Sequence, residues 1–233
     1  EKGYDFLLFH EMAHEWWGNY LSVSDWSDFW IHEGFAVYCE ALYIEEKYGY
    51  EEYNSFLTKN ISKKIPLSKP IVLERNSTMS QVFGLDPYYK GAFVLHMLRY
   101  LVGDESFFKI LKDVLHSKKH LPNNQITTSD FIDIVHNEIG TNIDWFFKVY
   151  LYENQYPVIN QKTTHGSNHT FVELSWENSD FSMPVEVFYK SNIGFTKKKL
   201  VITSEPIMIA IPQYNKIRID PDKRILLTID KKQ

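Results

Sequence analysis

Cysteine is nearly absent from this 233-residue chain. Cys39 stands alone, so no internal disulfide can brace the fold, and one thiol on a probable helix is no metal cluster. Long apolar runs are missing as well; no stretch is long enough to span a bilayer as a helix. Positive charge is in deficit, with 25 Lys and Arg against 30 Asp and Glu and a net charge of −5, which argues against an electrostatic nucleic-acid footprint. There is no internal repeat, no low-complexity tract and no amino-terminal leader pattern, and nothing in the sequence fixes a compartment. What is plentiful is apolar and aromatic mass: 44% hydrophobic residues support proper cores, and 16% aromatics suit a walled cleft better than a charged platform.

The chemistry concentrates between Tyr4 and Tyr48. Asp5 through Trp17 is apolar enough to read as a buried helix, with Phe6, Leu7, Phe9, Met12, Ala13 and Trp16 on it. In its middle lies His10-Glu11-Met12-Ala13-His14. A helix repeats every ~3.6 residues, so His10 and His14 share a face and both imidazoles can reach one metal ion. Glu11 points to the side of that ion, where a carboxylate serves as proton acceptor rather than ligand. Burying such groups unpaired is costly, and a metal is the natural compensation. Two histidines need a third protein ligand, and a carboxylate leaves a fourth position open for water. Glu33, nineteen residues past His14 at the head of a second helix, is the candidate. Glu40, seven residues further along the same face, is either a partner of a metal-ligating histidine or an ordinary helix-surface carboxylate.

Around this stretch the pattern is helical as far as residue 155. Asn19–Ser27 reads as an ordered loop, and the second helix runs from Asp28 to Tyr48, stopped by Gly49. A third helix spans Glu51–Ile65 before Pro66 and Pro70 break the chain, and Leu67–Gly84 forms an irregular wall. Asp86-Pro87 favours an extended or turning entry that presents Tyr88 just ahead of a helix over Gly91–Val102. Glu105–His116 is a further helix and Lys118–Gln125 a polar loop. Thr127–Asp130 offers capping oxygens to a helix stopped by Gly140, and Asp144 caps Trp145–Tyr152. His96, His116, His120 and His136 lack mutual ligand spacing and read as structural or surface residues. After Tyr156-Pro157 the period changes to two: Phe171–Trp176, Val185–Tyr189, Leu200–Thr203, Ile217–Ile219 and Ile225–Ile229 read as strands, with Lys197-Lys198-Lys199 as a solvated turn between them. The expected architecture is multidomain α + β. Residues 1–155 form an α-helical zinc catalytic lobe and residues 156–233 a small antiparallel, immunoglobulin-like β-sandwich.

Three blocks in order carry a family resemblance. His10 to Asn19, His-Glu-Met-Ala-His-Glu-Trp-Trp-Gly-Asn, resembles the zinc helix of the aminopeptidase N and leukotriene hydrolase family of gluzincins, whose catalytic lobe is thermolysin-like. Trp30-Ile31-His32-Glu33-Gly34-Phe35-Ala36 is similar to its Leu-Asn-Glu-Gly-Phe-Ala block, and Pro87-Tyr88-Tyr89-Lys90-Gly91-Ala92 to its Tyr-Glu-Lys-Gly segment. His32 replaces the usual Asn and Tyr89 the usual Glu. The resemblance implies one Zn²⁺ held by His10, His14 and Glu33, Glu11 as general base, and Tyr88 as the residue that stabilises the transition state. The implied activity is zinc-dependent removal of amino-terminal residues from peptide substrates by attack of a zinc-activated water. Related zinc hydrolases, an epoxide hydrolase or a glycyl aminopeptidase, would use the same site. A non-catalytic binding module on a peptidase scaffold would be expected to have lost a ligand or the base. The family's Gly-x-Met-Glu-Asn signature, whose Glu holds the substrate's free amino group, occurs nowhere in the chain. The chain therefore resembles a carboxy-terminal fragment that lacks the amino-terminal part of the catalytic domain and the domains before it, and by itself is expected to be a weak aminopeptidase.

Overall fold

The computed structural model describes residues 5–116, 124–213 and 215–232. Tyr4, His120 and most of the expected Lys118–Gln125 loop lie outside them. The chain divides into two compact units, Glu1–Asn154 and Gln155–Gln233, the first a helical lobe and the second built of sheets.

In the helical unit, helix α1 spans Phe6–Ala13, capped by Asp5, whose side chain accepts from the Leu8 N–H. It is shorter than the pattern suggested, because the chain leaves the α path after Ala13 and folds back through a turn at Gly18, where φ is +144°. It is also not the buried helix its apolar content suggested: Leu7, Leu8 and Met12 are 70, 60 and 51% exposed, and Ala13 alone is buried. A short strand β1, Ser22–Val23, lies within the expected ordered loop and pairs in parallel with β2, Gln125–Ile126.

Helix α2, Trp30–Tyr48, is the axis of the unit. It follows a 3₁₀ turn at Trp26–Asp28, ends at Gly49 (φ +84°), and buries Trp30, Ile31, Phe35, Ala36, Tyr38 and Ala41. Helix α3, Tyr50–Phe56, continues as a π-helical turn, Leu57–Ile61, rather than as one long helix. A four-residue helix α4, Met79–Val82, interrupts the irregular wall. Helix α5, Gly91–Val102, is reached through a π-helical turn over Asp86–Lys90, and helix α6, Asp104–His116, follows. Helix α7, Thr128–Ile139, opens on a reciprocal cap between Thr127 and Asp130 and closes at Gly140 in the left-handed region. Helix α8, Asp144–Phe147, passes into a third π-helical turn, Lys148–Tyr152. Asp144 does not cap it: the capping position is Ile143, and Asp144 lies inside the helix with its own N–H donated to Asn142. Buried Asp28 ties the pieces together by accepting from the Thr128 N–H at 3.0 Å and from Arg75 at 2.6 Å, while Trp30 Nε1 donates to Thr128 at 2.9 Å.

The second unit holds strands β3 (Val158–His165), β4 (His169–Trp176), β5 (Pro184–Ser191), β6 (Gly194–Val201), β7 (Ile207–Pro212), β8 (Ile217–Ile219) and β9 (Thr228–Lys232). They form two sheets, ordered β7-β4-β3-β9 and β6-β5-β8. Their interior holds alternate residues, as period two requires: Val172, Leu174 and Trp176 on β4, Val185 and Val187 on β5. The sheets are not wholly antiparallel, because β9 runs parallel to β3. Lys197–Lys199 is not a turn but the middle of edge strand β6, where Lys197 pairs with Glu186 and Asp222. Charged residues on an edge strand discourage pairing with another chain. Among the described residues no helix is long and apolar enough to cross a membrane.

Candidate active site

The site forms where α1 lies against α2. One helical turn separates His10 from His14, and their rings meet edge to face with centroids 4.8 Å apart. Glu33, in the first turn of α2 and only 8% exposed, reaches both: its Oε2 lies 3.2 Å from His10 Nε2 and 3.4 Å from His14 Nε2. One potential ligand atom from each of the three residues falls within 4.8 Å of the others.

The other ring nitrogens are committed elsewhere. His10 Nδ1 donates to Glu40 Oε1 at 2.9 Å, and His14 Nδ1 donates to the Trp17 carbonyl at 2.9 Å. Because carboxylate and carbonyl oxygens only accept, both Nδ1 atoms carry hydrogen and both Nε2 atoms face the common point with Glu33. The chain's fold-back after Ala13 supplies the second of these acceptors, which gives the early end of α1 a consequence at the site. Glu40 thus takes the histidine-partner role rather than that of a solvated surface carboxylate.

Electrostatics at the site are strongly coupled. Burial alone would lower the His10 pKa, but hydrogen bonds to Glu33 and Glu40 and their charges raise it to about 9. The His14 imidazole is likewise raised, chiefly by its hydrogen bond to Glu33. Burial would raise Glu33, yet the two histidines hold it down at about 2. In the protein alone, then, Glu33 and the two imidazoles are held close by their hydrogen bonding and mutual attraction. A divalent cation would replace the protons on the two Nε2 atoms, and two imidazoles plus one carboxylate form a donor set that fits zinc with a coordination position left open.

Glu11 follows His10 on the exposed side of α1. Tyr88 comes from the π-helical turn before α5, with its ring 6.1 Å from that of His10 and nearly parallel to it, and also 6.1 Å from Phe29. Burial pushes its phenol up to about 12, helped by the charge of Glu33, a hydrogen bond to it, and the charge of Glu11. The hydroxyl therefore stays protonated, a donor, at any ordinary pH. A cavity of about 410 Å³ opens beside these groups, lined by Phe6, Leu7, His10, Val37, Glu40 and Tyr88 among others.

Of the five residues singled out from the sequence, the structure brings His10, His14 and Glu33 together and sets Tyr88 beside His10, while Glu11 follows His10 on the exposed side of α1. His32 plays a part the sequence did not reveal. Burial depresses it to about 4, and its neutral Nε2 accepts from the Val23 N–H at 3.0 Å, fastening β1 to α2 beside Glu33. His96 is buried against Tyr53, whose hydroxyl lies 2.8 Å from its Nδ1, and His136 accepts from the Ile143 N–H; neither joins a metal-like group among the described residues.

The chain as a whole resembles known proteins. The Peptidase family M1 domain matches residues 4–150. Human endoplasmic reticulum aminopeptidase 2 is 32% identical over 112 residues, 44% of this chain and 12% of that protein. Human aminopeptidase N is 26% identical over 198 residues, 78% of this chain and 20% of that one. The crystal structure of Legionella pneumophila aminopeptidase A in complex with aspartic acid superposes with a TM-score of 0.74 at 16% identity, covering 98% of this chain and 27% of that one. The chain thus spans only 12–20% of the length of these sequence relatives.

Proposed function

The chain belongs to peptidase family M1, and from that premise we propose that it forms the zinc-binding part of an aminopeptidase. The observation that carries the reading is the convergence of His10 Nε2, His14 Nε2 and the Glu33 carboxylate, with both Nδ1 atoms engaged by other acceptors. His10, His14 and Glu33 would hold one Zn²⁺, which when bound supplies Lewis-acid chemistry, polarising a peptide carbonyl and making water acidic enough to deprotonate near pH ~7.

The remaining work falls to the chain's own side chains. Glu11, beside His10 and exposed to solvent, takes the proton of the attacking water and hands it to the departing amine. Tyr88, kept protonated by burial and by the charge of Glu33, donates to the oxygen that becomes negative as the carbonyl carbon turns tetrahedral. The cavity beside His10 and Tyr88 offers apolar walls to a peptide side chain. The names of the sequence relatives support an amino-terminal cleavage point over an internal one.

The test is Glu11→Gln in the natural protein that carries this chain. The variant keeps its zinc and loses peptide hydrolysis by a factor on the order of 10²–10⁴, the usual contribution of a general base. Parent-like turnover in Glu11→Gln would contradict the assignment.

A further inference from the structure

Tyr88 is held by unusual means, given how little regular structure surrounds it. It is the middle residue of the five-residue π-helical turn Asp86–Lys90, and the charged residues at both ends of that turn are wholly buried, each with 0% exposure. Burying a charge is costly unless its hydrogen-bonding capacity is filled. Here distant segments supply partners at both ends of the turn. The Asp86 carboxylate accepts from the Leu67 N–H at 3.0 Å, the Ser68 N–H at 3.0 Å and the Ser68 hydroxyl at 2.5 Å. Leu67 adopts a left-handed conformation, φ +53°, to aim the two successive N–H groups at one carboxylate. At the other end, Lys90 Nζ donates to the Glu153 carbonyl at 2.6 Å.

A third restraint is steric. The turn is pressed onto the helix that carries Glu33, glycine against glycine. A Cβ on Gly34 would lie 2.9 Å from the Gly91 backbone and 3.1 Å from the Pro87 carbonyl, and a Cβ on Gly91 would lie 3.0 Å from Gly34 Cα. No side chain can stand between the two backbones. Gly34 follows Glu33 directly, and Gly91 lies three residues past Tyr88, so the close approach sets the distance between the carboxylate and the phenol.

We propose that Asp86 and the Gly34–Gly91 contact are positioning elements for Tyr88: they fix its hydroxyl relative to Glu33 and so govern turnover without touching the substrate. This rests on the reading of Tyr88 as the donor to the developing oxyanion. Functional sites often use π-helical turns, where an i to i+5 spacing re-aims a side chain that an α-helix would direct elsewhere. Misplacing a reacting group by ~1 Å can cost on the order of 100-fold in rate.

A double-mutant cycle on the natural protein separates positioning from mere support of the fold. Tyr88→Phe alone lowers kcat by about 10²–10³; no loss there would remove the catalytic reading of Tyr88, and this proposal with it. Asp86→Asn keeps the side-chain volume but sets an amide N–H₂ against backbone donors. It lowers kcat by about 10- to 100-fold, leaves bound zinc at the parent level, and adds nothing further in the Tyr88→Phe background. An equal loss in both backgrounds, a loss of zinc, or no loss at all would overturn the positioning role while leaving the Tyr88 assignment standing. If Asp86→Asn does not fold, Gly91→Ala enters the same cycle with the same two outcomes for kcat.

Discussion

At the scale of single residues, the candidate site is governed by hydrogen-bond acceptors. Glu40 and the Trp17 carbonyl each take an Nδ1–H, and that fixes which nitrogen each histidine can offer to an ion. The His10–Glu40 pair matters most, because Glu40 comes from the same helix as Glu33 and so turns the ring toward its own neighbour. Removing it leaves the imidazole free to rotate and less basic. Glu40→Ala should therefore weaken zinc affinity by about 10–100-fold, the usual effect of losing such a partner. Competition with a chelator checks this, and an unchanged affinity would mean that α1 packing alone orients His10. The sequence made the i, i+4 histidine pair visible because helical periodicity alone brings the two side chains together. It left Glu40 undecided between two roles, because a seven-residue spacing places a carboxylate on a face without saying what lies opposite. Tyr88 came from family resemblance: with 15 tyrosines in the chain, nothing local distinguishes this one.

At the scale of elements, regular helices announced themselves and irregular ones did not. Gly49, Gly103 and Gly140 stop α2, α5 and α7 at positive φ, and the Thr127–Asp130 cap starts α7, all by local chemistry readable in sequence. The three π-helical turns have no such signature. Their existence depends on what packs against them, as the burial of Asp86 and Lys90 shows for the turn at Tyr88. Lys197–Lys199 misled for a related reason. A run of lysines reads as a turn, but on an edge strand one flank is open to water, and Lys197 also finds Glu186 and Asp222. Lys90 offers an element-scale test. Burial depresses its pKa to about 8 from an ordinary 10.5, against the attraction of Asp86 and Glu153. Between those values the unfolded chain binds a proton that the folded chain does not, so stability rises with pH across that window and is lost as pH falls through about 8. A separation of that size corresponds to at most about 3 kcal/mol. The melting temperature of the parent should therefore gain on that of Lys90→Met between pH ~8 and ~10.5. A pH-independent difference between the two would mean that Lys90 stays charged in its buried position.

At the scale of the whole molecule, the chain is a helical unit that carries the candidate chemistry and a sheet unit whose described residues show none of it: His10, Glu11, His14, Glu33 and Tyr88 all precede Asn154. The alternation after Pro157 made the change of character legible. The parallel pairing of β9 with β3 was not, because strand direction is set by chain routing rather than by any residue pattern. The exposure of Leu7, Leu8 and Met12 on α1 was also beyond the sequence, since apolar content says that a face wants cover but not whether cover is present.

Whether His10, His14 and Glu33 hold a metal decides whether this chain carries a peptidase site. Metal content by mass spectrometry, on the purified natural protein after zinc is offered and excess removed, reads this directly. The expected result is about one tightly bound zinc per chain in the parent and none in His14→Ala, because two remaining protein ligands do not make a zinc site. A folded parent that retains no zinc, or a His14→Ala variant that retains as much as the parent, would contradict it.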